Sequence, residues 1–277
     1  MDIRLILNAN WNKEPGLNFR SLEIQLINDK GEKFQPDQIK SLFENPAVGF
    51  EVKAVGAYFQ HKEAKLNYDQ FLSPESIENA QEYINDHKTD LKKAEDEYGV
   101  DREVITAILL VETRFGKNVG STSVLGALST MAALEDPKIR ELFWKQIPKD
   151  NRISKEKYEI KAAQKAKLAY NELKAFIKYV QQEGLDPYSI PGSYAGAMGI
   201  SQFMPSNILA LAKGDDQNGH INLFHHEDAI LSVANFLKHY GWKPGITREN
   251  AYEVVYNYNH SEYYVNTILK IVEKLKG

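Results

Sequence analysis

Glu112 is the residue whose position most clearly suggests chemistry. It closes an apolar run over residues 104–111, in a segment that begins after Asp101 and reaches Gly116. The length of this segment favours a buried helix over a buried strand, because a helix that is apolar on every face belongs in a core. Burial and the negative end of the helix macrodipole both raise the pKa of a carboxyl group, so Glu112 is a candidate general acid. A structural glutamate paired with Arg114 is the alternative.

Small and polar residues are concentrated in residues 191–206. Small residues let a backbone lie close to a ligand. The Ser193 hydroxyl and the Gln202 amide can hydrogen-bond an uncharged polar substrate such as a sugar, while Phe203 and Met204 offer apolar contact. A structural turn before a helix is the alternative, and the Gly-Lys-Ser/Thr of a phosphate-binding loop does not follow.

Four tyrosines and two asparagines lie within residues 256–264. Such residues can form a wall that stacks on sugar rings and hydrogen-bonds their hydroxyls. Core tyrosines are the alternative. His260 is expected to make a structural hydrogen bond rather than to bind metal, because no second histidine lies at a ligand-like helical spacing.

A polar loop over residues 214–222 has part of the pattern of a calcium loop. With Gly214 at the first position, Asp216 and Asn218 occupy the third and fifth, where carboxylate and amide oxygens bind calcium. The first ligand is then missing. A polar turn without metal is the alternative.

Helical periodicity dominates the rest of the chain, so the fold class is predicted to be mainly α. Ser73 is a candidate N-cap before Pro74, and Gly99 is a candidate helix stop. A boundary near residue 74 separates a mostly helical N-terminal subdomain, residues 1–74, from residues 75–277. The predicted helices cover residues 22–27, 36–43, 74–98, 101–115, 154–184, 228–240 and 263–275.

Composition excludes several classes of protein. The 277 residues are 43% hydrophobic, which suffices for a core, and their formal net charge of −4 does not indicate a nucleic-acid partner. Because the chain has no cysteine, disulfides, thiolate metal sites and cysteine nucleophiles are excluded. No apolar stretch is long enough for a transmembrane segment. Residues 1–10 do not have a signal-sequence pattern, so export would require a targeting segment outside this sequence.

Four ordered motifs resemble the membrane-bound lytic transglycosylase B family. They are Val111-Glu112-Thr113-Arg114-Phe115-Gly116, the segment over residues 192–206, Gly219-His220-Ile221-Asn222-Leu223 and Tyr258-Asn259-His260-Ser261. The resemblance covers residues 71–277, with weaker similarity over residues 22–43. It implies a lysozyme-like helical core that cleaves the MurNAc-β-1,4-GlcNAc bond of peptidoglycan and forms a 1,6-anhydromuramoyl end.

The resemblance also implies roles for individual residues. Glu112 matches the catalytic acid and base, and Ser193 matches the residue that contacts the N-acetyl group of the muramoyl sugar. The glycan-binding positions fall on Gln202, Phe203, Tyr258, Asn259 and Tyr264. No cofactor is required, but a calcium ion is implied by the family's loop, whose ligand positions fall on Asp216, Asn218 and Asp228.

This sequence departs from the family pattern in four places. Gly214 stands where the family's calcium loop begins with an aspartate. Pro137-Lys138-Ile139-Arg140 stands where the family has paired arginines after a proline. The stretch from Trp242 to Tyr258 is much shorter than in the family, so we expect its small β subdomain to be absent. Residues 150–184 form a lysine-rich helical insertion.

The partners implied are peptidoglycan glycan strands and no nucleic acid, for a monomer of the periplasm or cell envelope. Two other functions stay open. A hydrolytic muramidase would need a second carboxylate about 5–9.5 Å from the first, and Asp215, Asp216 and Glu262 are the acids nearest in sequence to the other motifs. A peptidoglycan-binding protein without catalysis is the third possibility.

Overall fold

A computed structural model describes residues 18–60, 66–147, 153–214 and 219–277, which are mainly α-helical as predicted. The helices are α1 (Arg20–Ile27), α2 (Pro36–Glu44), α3 (Val52–Gln60), α4 (Pro74–Asp86), α5 (Lys88–Tyr98), α6 (Arg102–Thr113), α7 (Val124–Ala132), α8 (Pro137–Gln146), α9 (Lys155–Glu183), α10 (Pro205–Leu211), α11 (His226–His239), α12 (Arg248–Tyr258) and α13 (Glu262–Lys276). Two 3₁₀ turns cover Tyr68–Leu72 and Ala133–Glu135. Strands β1 (Thr122–Ser123) and β2 (Pro191–Gly192) pair antiparallel.

The chain divides into two compact units. The first contains residues 1–61, 120–197 and 204–206, and the second contains residues 62–119, 198–203 and 207–277. The predicted subdomain boundary near residue 74 does not coincide with this division and stays a prediction. None of the helices in the described ranges is both long enough and apolar enough to cross a membrane.

The first unit is organised around α9, the predicted lysine-rich helix, which packs against α7. Ser154 caps its start, because the Ser154 hydroxyl accepts a hydrogen bond from the Lys157 amide, and Gly184 ends it with a φ of 64°. The predicted apolar stripe of this helix is buried, as its members show: Ala166, Ala169, Tyr170, Leu173, Phe176, Ile177 and Val180.

The second unit surrounds α6, which packs against α4, α5, α11 and α13. The predicted burial of this helix is confirmed, since Val104, Ile105 and Leu109 are all 0% exposed. Its predicted end at residue 115 is wrong by two residues. The helix ends at Thr113 because the next residue has left the helical region of the backbone map.

The helix predicted over residues 74–98 is two helices. The predicted N-cap is confirmed, since the Ser73 hydroxyl accepts a hydrogen bond from the Ser76 amide, and Gly99 ends α5 with a φ of 69°. Between them, His87 has a φ of −107° and a ψ of 28°, which separates α4 from α5. The sequence pattern also missed α12, whose last three residues belong to the tyrosine-rich segment.

Candidate active site

A strained turn follows Glu112 at the end of α6. Arg114 and Phe115 have φ values of 50° and 61°, and Gly116 has a φ of 84°. A left-handed backbone costs a residue other than glycine about 1–2 kcal/mol, so this turn needs contacts that compensate.

Thr113 supplies two of those contacts. Its hydroxyl donates to the Ile200 carbonyl at 2.8 Å and accepts from the Gly116 amide at 2.9 Å. The Thr113 side chain is 1% exposed, so these bonds are protected from water. Thr113 therefore connects the end of the helix that carries Glu112 to the loop over residues 198–203.

The loop over residues 198–203 is closed by its own backbone. The Met198 amide donates to the Phe203 carbonyl at 3.0 Å, and the Phe203 amide donates back at 3.1 Å. Gln202 has a φ of 51°, and its side-chain amide donates to the carbonyls of Gly199 and Val119 at 2.9 and 3.2 Å. The Gln202 nitrogen thus shapes the loop, which leaves the side-chain oxygen as the atom suited to a ligand.

Gly199 is required by the backbone geometry of this loop. Its φ is 76°, and a Cβ atom at this position would lie 2.4 Å from the Leu223 Cβ atom. The Ile200 amide donates to the Leu223 carbonyl at 2.7 Å. The loop therefore lies directly against the predicted Gly219–Leu223 motif region.

Two parallel tyrosines lie close to the Glu112 carboxylate. The rings of Tyr258 and Tyr264 are 6.4 Å apart with 6° between their planes. Burial, followed by the charge of Glu112, raises the pKa of Tyr258 well above its usual value. Burial and then the charges of Glu112 and Tyr258 do the same for Tyr264, with a smaller contribution from a hydrogen bond to Glu112. Both hydroxyls are therefore protonated donors near the carboxylate.

The second unit brings together most of the predicted site, but with different exposure for each residue. Tyr258 donates its hydroxyl hydrogen to the Ser201 carbonyl at 2.6 Å, and Asn259 is partly exposed at the end of α12. Phe203 and Tyr264 are 2% and 1% exposed, so both rings belong to the core beneath the site. Their predicted contact with substrate stays a prediction.

Ser193 belongs to the first unit. Its hydroxyl oxygen accepts hydrogen bonds from the Ala195 and Ala197 amides at 3.2 and 3.0 Å. The hydroxyl hydrogen is then left to donate, which is what a contact with an acetamido carbonyl requires. Gly192 is needed beside it, because a Cβ atom there would lie 2.3 Å from the Ala197 carbonyl oxygen.

The calcium prediction concerns residues that are only partly described. Asp216 and Asn218 lie outside the described residues. Asp228 is 7% exposed, and its Oδ2 atom accepts the Asn222 amide at 2.7 Å, which caps the turn before α11. In the described part of the chain, no group of three or more acidic or histidine side chains could hold a metal. Because two of the three predicted ligands lie outside the described residues, the calcium site stays a prediction, and we derive no step through this ion.

Three residues of this region, Gln70, Phe71 and Tyr83, belong to none of the motifs found in the sequence. Arg114, the partner of Glu112 in the structural alternative, donates to the Gln70 side chain at 2.6 Å and lies over the Phe71 ring. Phe115 stacks on Tyr83 with ring centroids 4.2 Å apart. These contacts join residues more than 30 positions apart, which periodicity and motif spacing do not predict.

The sequence does not identify Glu51, a half-buried carboxyl group in the first unit. Burial raises the pKa of Glu51, whose backbone amide donates to the Thr130 hydroxyl at 2.8 Å. Its neighbours in sequence form no motif that would have indicated this environment.

Comparisons with known proteins agree on one family. A family model described as the transglycosylase SLT domain matches residues 28–249. Membrane-bound lytic murein transglycosylase B of Escherichia coli K12 is 32% identical over 213 residues, which cover 76% of this chain and 50% of that protein. The chain thus spans about half the length of this curated relative.

Solved structures share the fold. Soluble lytic transglycosylase SltB1 from Pseudomonas aeruginosa matches with a TM-score of 0.74 and 26% identity, covering 93% of this chain and 97% of that chain. SltB3 from the same organism, solved with NAG-NAM-pentapeptide, matches with a TM-score of 0.74 and 18% identity over 95% of this chain and 80% of that chain. The second likeness concerns the fold alone.

Proposed function

Because the chain belongs to the transglycosylase SLT family, we propose that it is a lytic transglycosylase that cleaves the MurNAc-β-1,4-GlcNAc bond of peptidoglycan. The main support is the placement of Glu112, at the strained end of α6 and beside two tyrosine hydroxyls that stay protonated. A carboxyl group in that setting has a fixed donor, the Tyr264 hydroxyl, ready for the charge it acquires during the reaction.

The reaction needs one carboxyl group. Protonated Glu112 donates its proton to the glycosidic oxygen as the bond from that oxygen to C1 of the muramoyl sugar breaks. The Glu112 carboxylate then removes the proton from the C6 hydroxyl of the same sugar, and the C6 oxygen bonds to C1. The product ends in a 1,6-anhydro ring, and Glu112 is protonated again. The attack is intramolecular, so its high effective molarity replaces an activated water.

The tyrosines support the charged stage of this cycle. After Glu112 gives up its proton, the Tyr264 hydroxyl is a donor beside the new carboxylate. The Tyr258 hydroxyl is committed to the Ser201 carbonyl, so Tyr258 acts on Glu112 mainly by holding this loop in place. Tyr264 is therefore the tyrosine whose hydroxyl can donate to the Glu112 carboxylate.

Ser193 is proposed to hold the acetamido group of the muramoyl sugar, whose carbonyl assists at C1 as in substrate-assisted glycosidases. Two features support this role: the motif match, and the free hydroxyl hydrogen left by the bonds from Ala195 and Ala197. Gln202 and Asn259 are proposed to bind neighbouring sugar hydroxyls. The partner is a peptidoglycan strand, the location the cell envelope, and the protein a monomer that needs no cofactor.

The test is product analysis of purified sacculi digested with the wild type and with Glu112→Gln. We expect the wild type to release muropeptides with anhydro ends, and Glu112→Gln to reduce release by at least about 10²–10⁴-fold, the usual contribution of a general acid or base. The melting temperature should change little, because the two side chains have nearly the same shape.

Glu103→Gln on the same helix is the matched control and should release fragments at the wild-type rate. Fragments one water heavier, with reducing ends, would instead indicate the hydrolytic muramidase. Binding of sacculi without release by the wild type would select the non-catalytic alternative. Equal release by Glu112→Gln and wild type would reject Glu112 as the acid.

A further inference from the structure

The 3₁₀ turn Tyr68–Leu72 lies in the second unit against α13, yet none of its five residues is buried. The Gln70 side-chain amide donates to the Asn67 carbonyl at 2.6 Å, and the Ser76 hydroxyl donates to the Gln70 carbonyl at 2.8 Å. A segment with so little buried apolar surface opens easily unless polar contacts hold it. Its position therefore depends on a few side chains.

Arg114 supplies two contacts to this turn. Its Nη2 atom donates to the Gln70 Oε1 atom at 2.6 Å, and its Cζ atom lies 5.0 Å from the Phe71 ring centroid. A guanidinium group can stack its plane on an aromatic ring while donating from its edge, which an ammonium group cannot do. The Gln70 side chain thus bridges the Asn67 carbonyl and Arg114.

The backbone conformation of Arg114 is unfavourable for any residue except glycine. Its φ of 50° places it in the left-handed region at the C-cap of α6, where glycine is the residue most often found and fits without strain. An arginine here costs free energy through its backbone. Its contacts with Gln70 and Phe71 are what the position gains in return.

The turn that Arg114 holds reaches towards Glu112. Tyr68 and Phe71 have ring centroids 6.5 Å apart, and Tyr68 is close enough to Tyr264 to contribute to the raised pKa of that hydroxyl. Tyr264 in turn lies beside the Glu112 carboxylate. Arg114 follows Glu112 by two residues, so one short stretch of chain carries the acid and also holds the Tyr68–Leu72 turn.

We propose that Arg114 is a positioning residue, which fixes the Tyr68–Leu72 turn as a wall of the glycan-binding surface in register with Glu112. This inference rests on the proposed function. Arg114 acts through the turn and not on the reacting atoms, because its guanidinium is already bonded to Gln70 and stacked on Phe71. Its loss should therefore weaken glycan binding more than it slows the chemical step.

The experiment replaces Arg114 with glycine, which removes the side chain and relieves the backbone. We expect Arg114→Gly to keep or raise the melting temperature, to raise KM for solubilised glycan strands by about tenfold, and to change kcat by less than about twofold. Hydrogen exchange of the peptide covering residues 66–73 should become faster. A merely structural arginine would not combine an unchanged melting temperature with a higher KM.

Two further variants sharpen the test. Lys117→Ala removes a positive charge from the turn that follows α6 without removing a contact to Gln70. This variant should match the wild type in KM and in hydrogen exchange of residues 66–73. Arg114→Lys keeps the charge but not the planar group, and should resemble Arg114→Gly; full recovery by lysine would overturn the proposal. So would wild-type KM and exchange in Arg114→Gly.

The proposed function can fail separately. If the wild type releases no fragments, the dissociation constant of a GlcNAc-MurNAc tetrasaccharide for the Glu112→Gln and Glu112→Gln/Arg114→Gly proteins replaces KM as the readout. A tenfold weaker complex with faster exchange at residues 66–73 would still support the role of Arg114. Equal affinities and equal exchange would refute it whatever the wild type does.

Discussion

Removal of the Tyr264 hydroxyl should slow the reaction without unfolding the protein. Tyr264 is 1% exposed and its hydroxyl responds to the charge of Glu112. A hydrogen bond to a charged group contributes about 1.5–3 kcal/mol, which corresponds to roughly 10- to 150-fold in rate at about 1.4 kcal/mol per factor of ten. Among the described residues the hydroxyl has no partner at full hydrogen-bond geometry, so the bond to Glu112 is weak in the resting protein and the lower limit applies. We expect Tyr264→Phe to lower kcat/KM about tenfold.

The pH dependence of kcat/KM should also change when the Tyr264 hydroxyl is removed. In the proposed mechanism the free enzyme needs protonated Glu112, so kcat/KM falls as pH rises through the pKa of Glu112. A donor beside a carboxylate stabilises its charged form, and removing that donor raises the pKa of the carboxyl group. The alkaline limb of the Tyr264→Phe profile should therefore lie at higher pH than that of the wild type.

Tyr258→Phe is the matched control, because its ring is parallel to that of Tyr264 but its hydroxyl donates to the Ser201 carbonyl. Its loss leaves a backbone carbonyl without that donor, which costs about 1–3 kcal/mol of stability, while the alkaline limb should stay in place. The assay is release of muropeptides from solubilised strands between pH 4 and 9, with thermal unfolding in parallel. A wild-type rate and an unmoved limb in Tyr264→Phe would refute the assignment.

Two predictions concern stability in acid. Burial, and then the charge of His87, lower the pKa of His226, and the two rings lie 4.5 Å apart. The stability that comes from neutral His226 is present above the unfolded-state pKa of about 6.5. It is lost as pH falls through the lower pKa of the folded state. The melting temperature of the wild type should thus fall between pH 7.5 and 5, and His226→Gln should show a smaller fall; parallel curves would contradict this. For Asp29, burial opposes ionisation, but hydrogen bonds from Tyr170, Lys174 and the Glu32 and Gly31 amides outweigh it and lower the pKa to about 2. The stabilisation by ionised Asp29 is therefore present above pH 3.8 and lost as pH falls towards 2. Asp29→Asn should lower the free energy of unfolding at pH 7 by roughly 1–2 kcal/mol after allowance for solvent screening. An unchanged free energy of unfolding in denaturant would contradict the role of the hydrogen bonds to Asp29.

The sequence predicted those helices whose periodicity and end residues agree. In α9, Ser154 at the start, a continuous apolar stripe and Gly184 at the end all indicate the same helix, and the structure confirms it. In α6 the apolar run identified the helix, but its end depends on a left-handed Arg114 that no propensity favours. The break at His87 was missed because amphipathic periodicity continues across it.

The candidate site was predictable to the extent that it lies in motifs. Glu112 and Tyr258 could be placed because each belongs to a motif, while the positions of Gln70, Phe71 and Tyr83 depend on contacts made only after folding. Burial of Tyr264 is a similar case: a sugar-stacking wall and a core tyrosine have the same sequence pattern. The structure buries Tyr264 by packing α13 against α6, while the contact of this residue with substrate stays a prediction.

The three residues that follow Glu112 each contact a different part of the second unit. Thr113 is bonded to the loop over residues 198–203, Arg114 to the Tyr68–Leu72 turn, and Phe115 is stacked on Tyr83 of α4. Since Arg114 and Phe115 hold strained backbone conformations, the turn keeps its shape only while these contacts together outweigh the strain. The shape of this turn is therefore a shared property of contacts from neighbouring residues, and we expect substitutions of Thr113 and Phe115, which leave the backbone strain in place, to have coupled rather than additive effects on kcat/KM. Additive effects would mean that Glu112 is oriented by α6 alone.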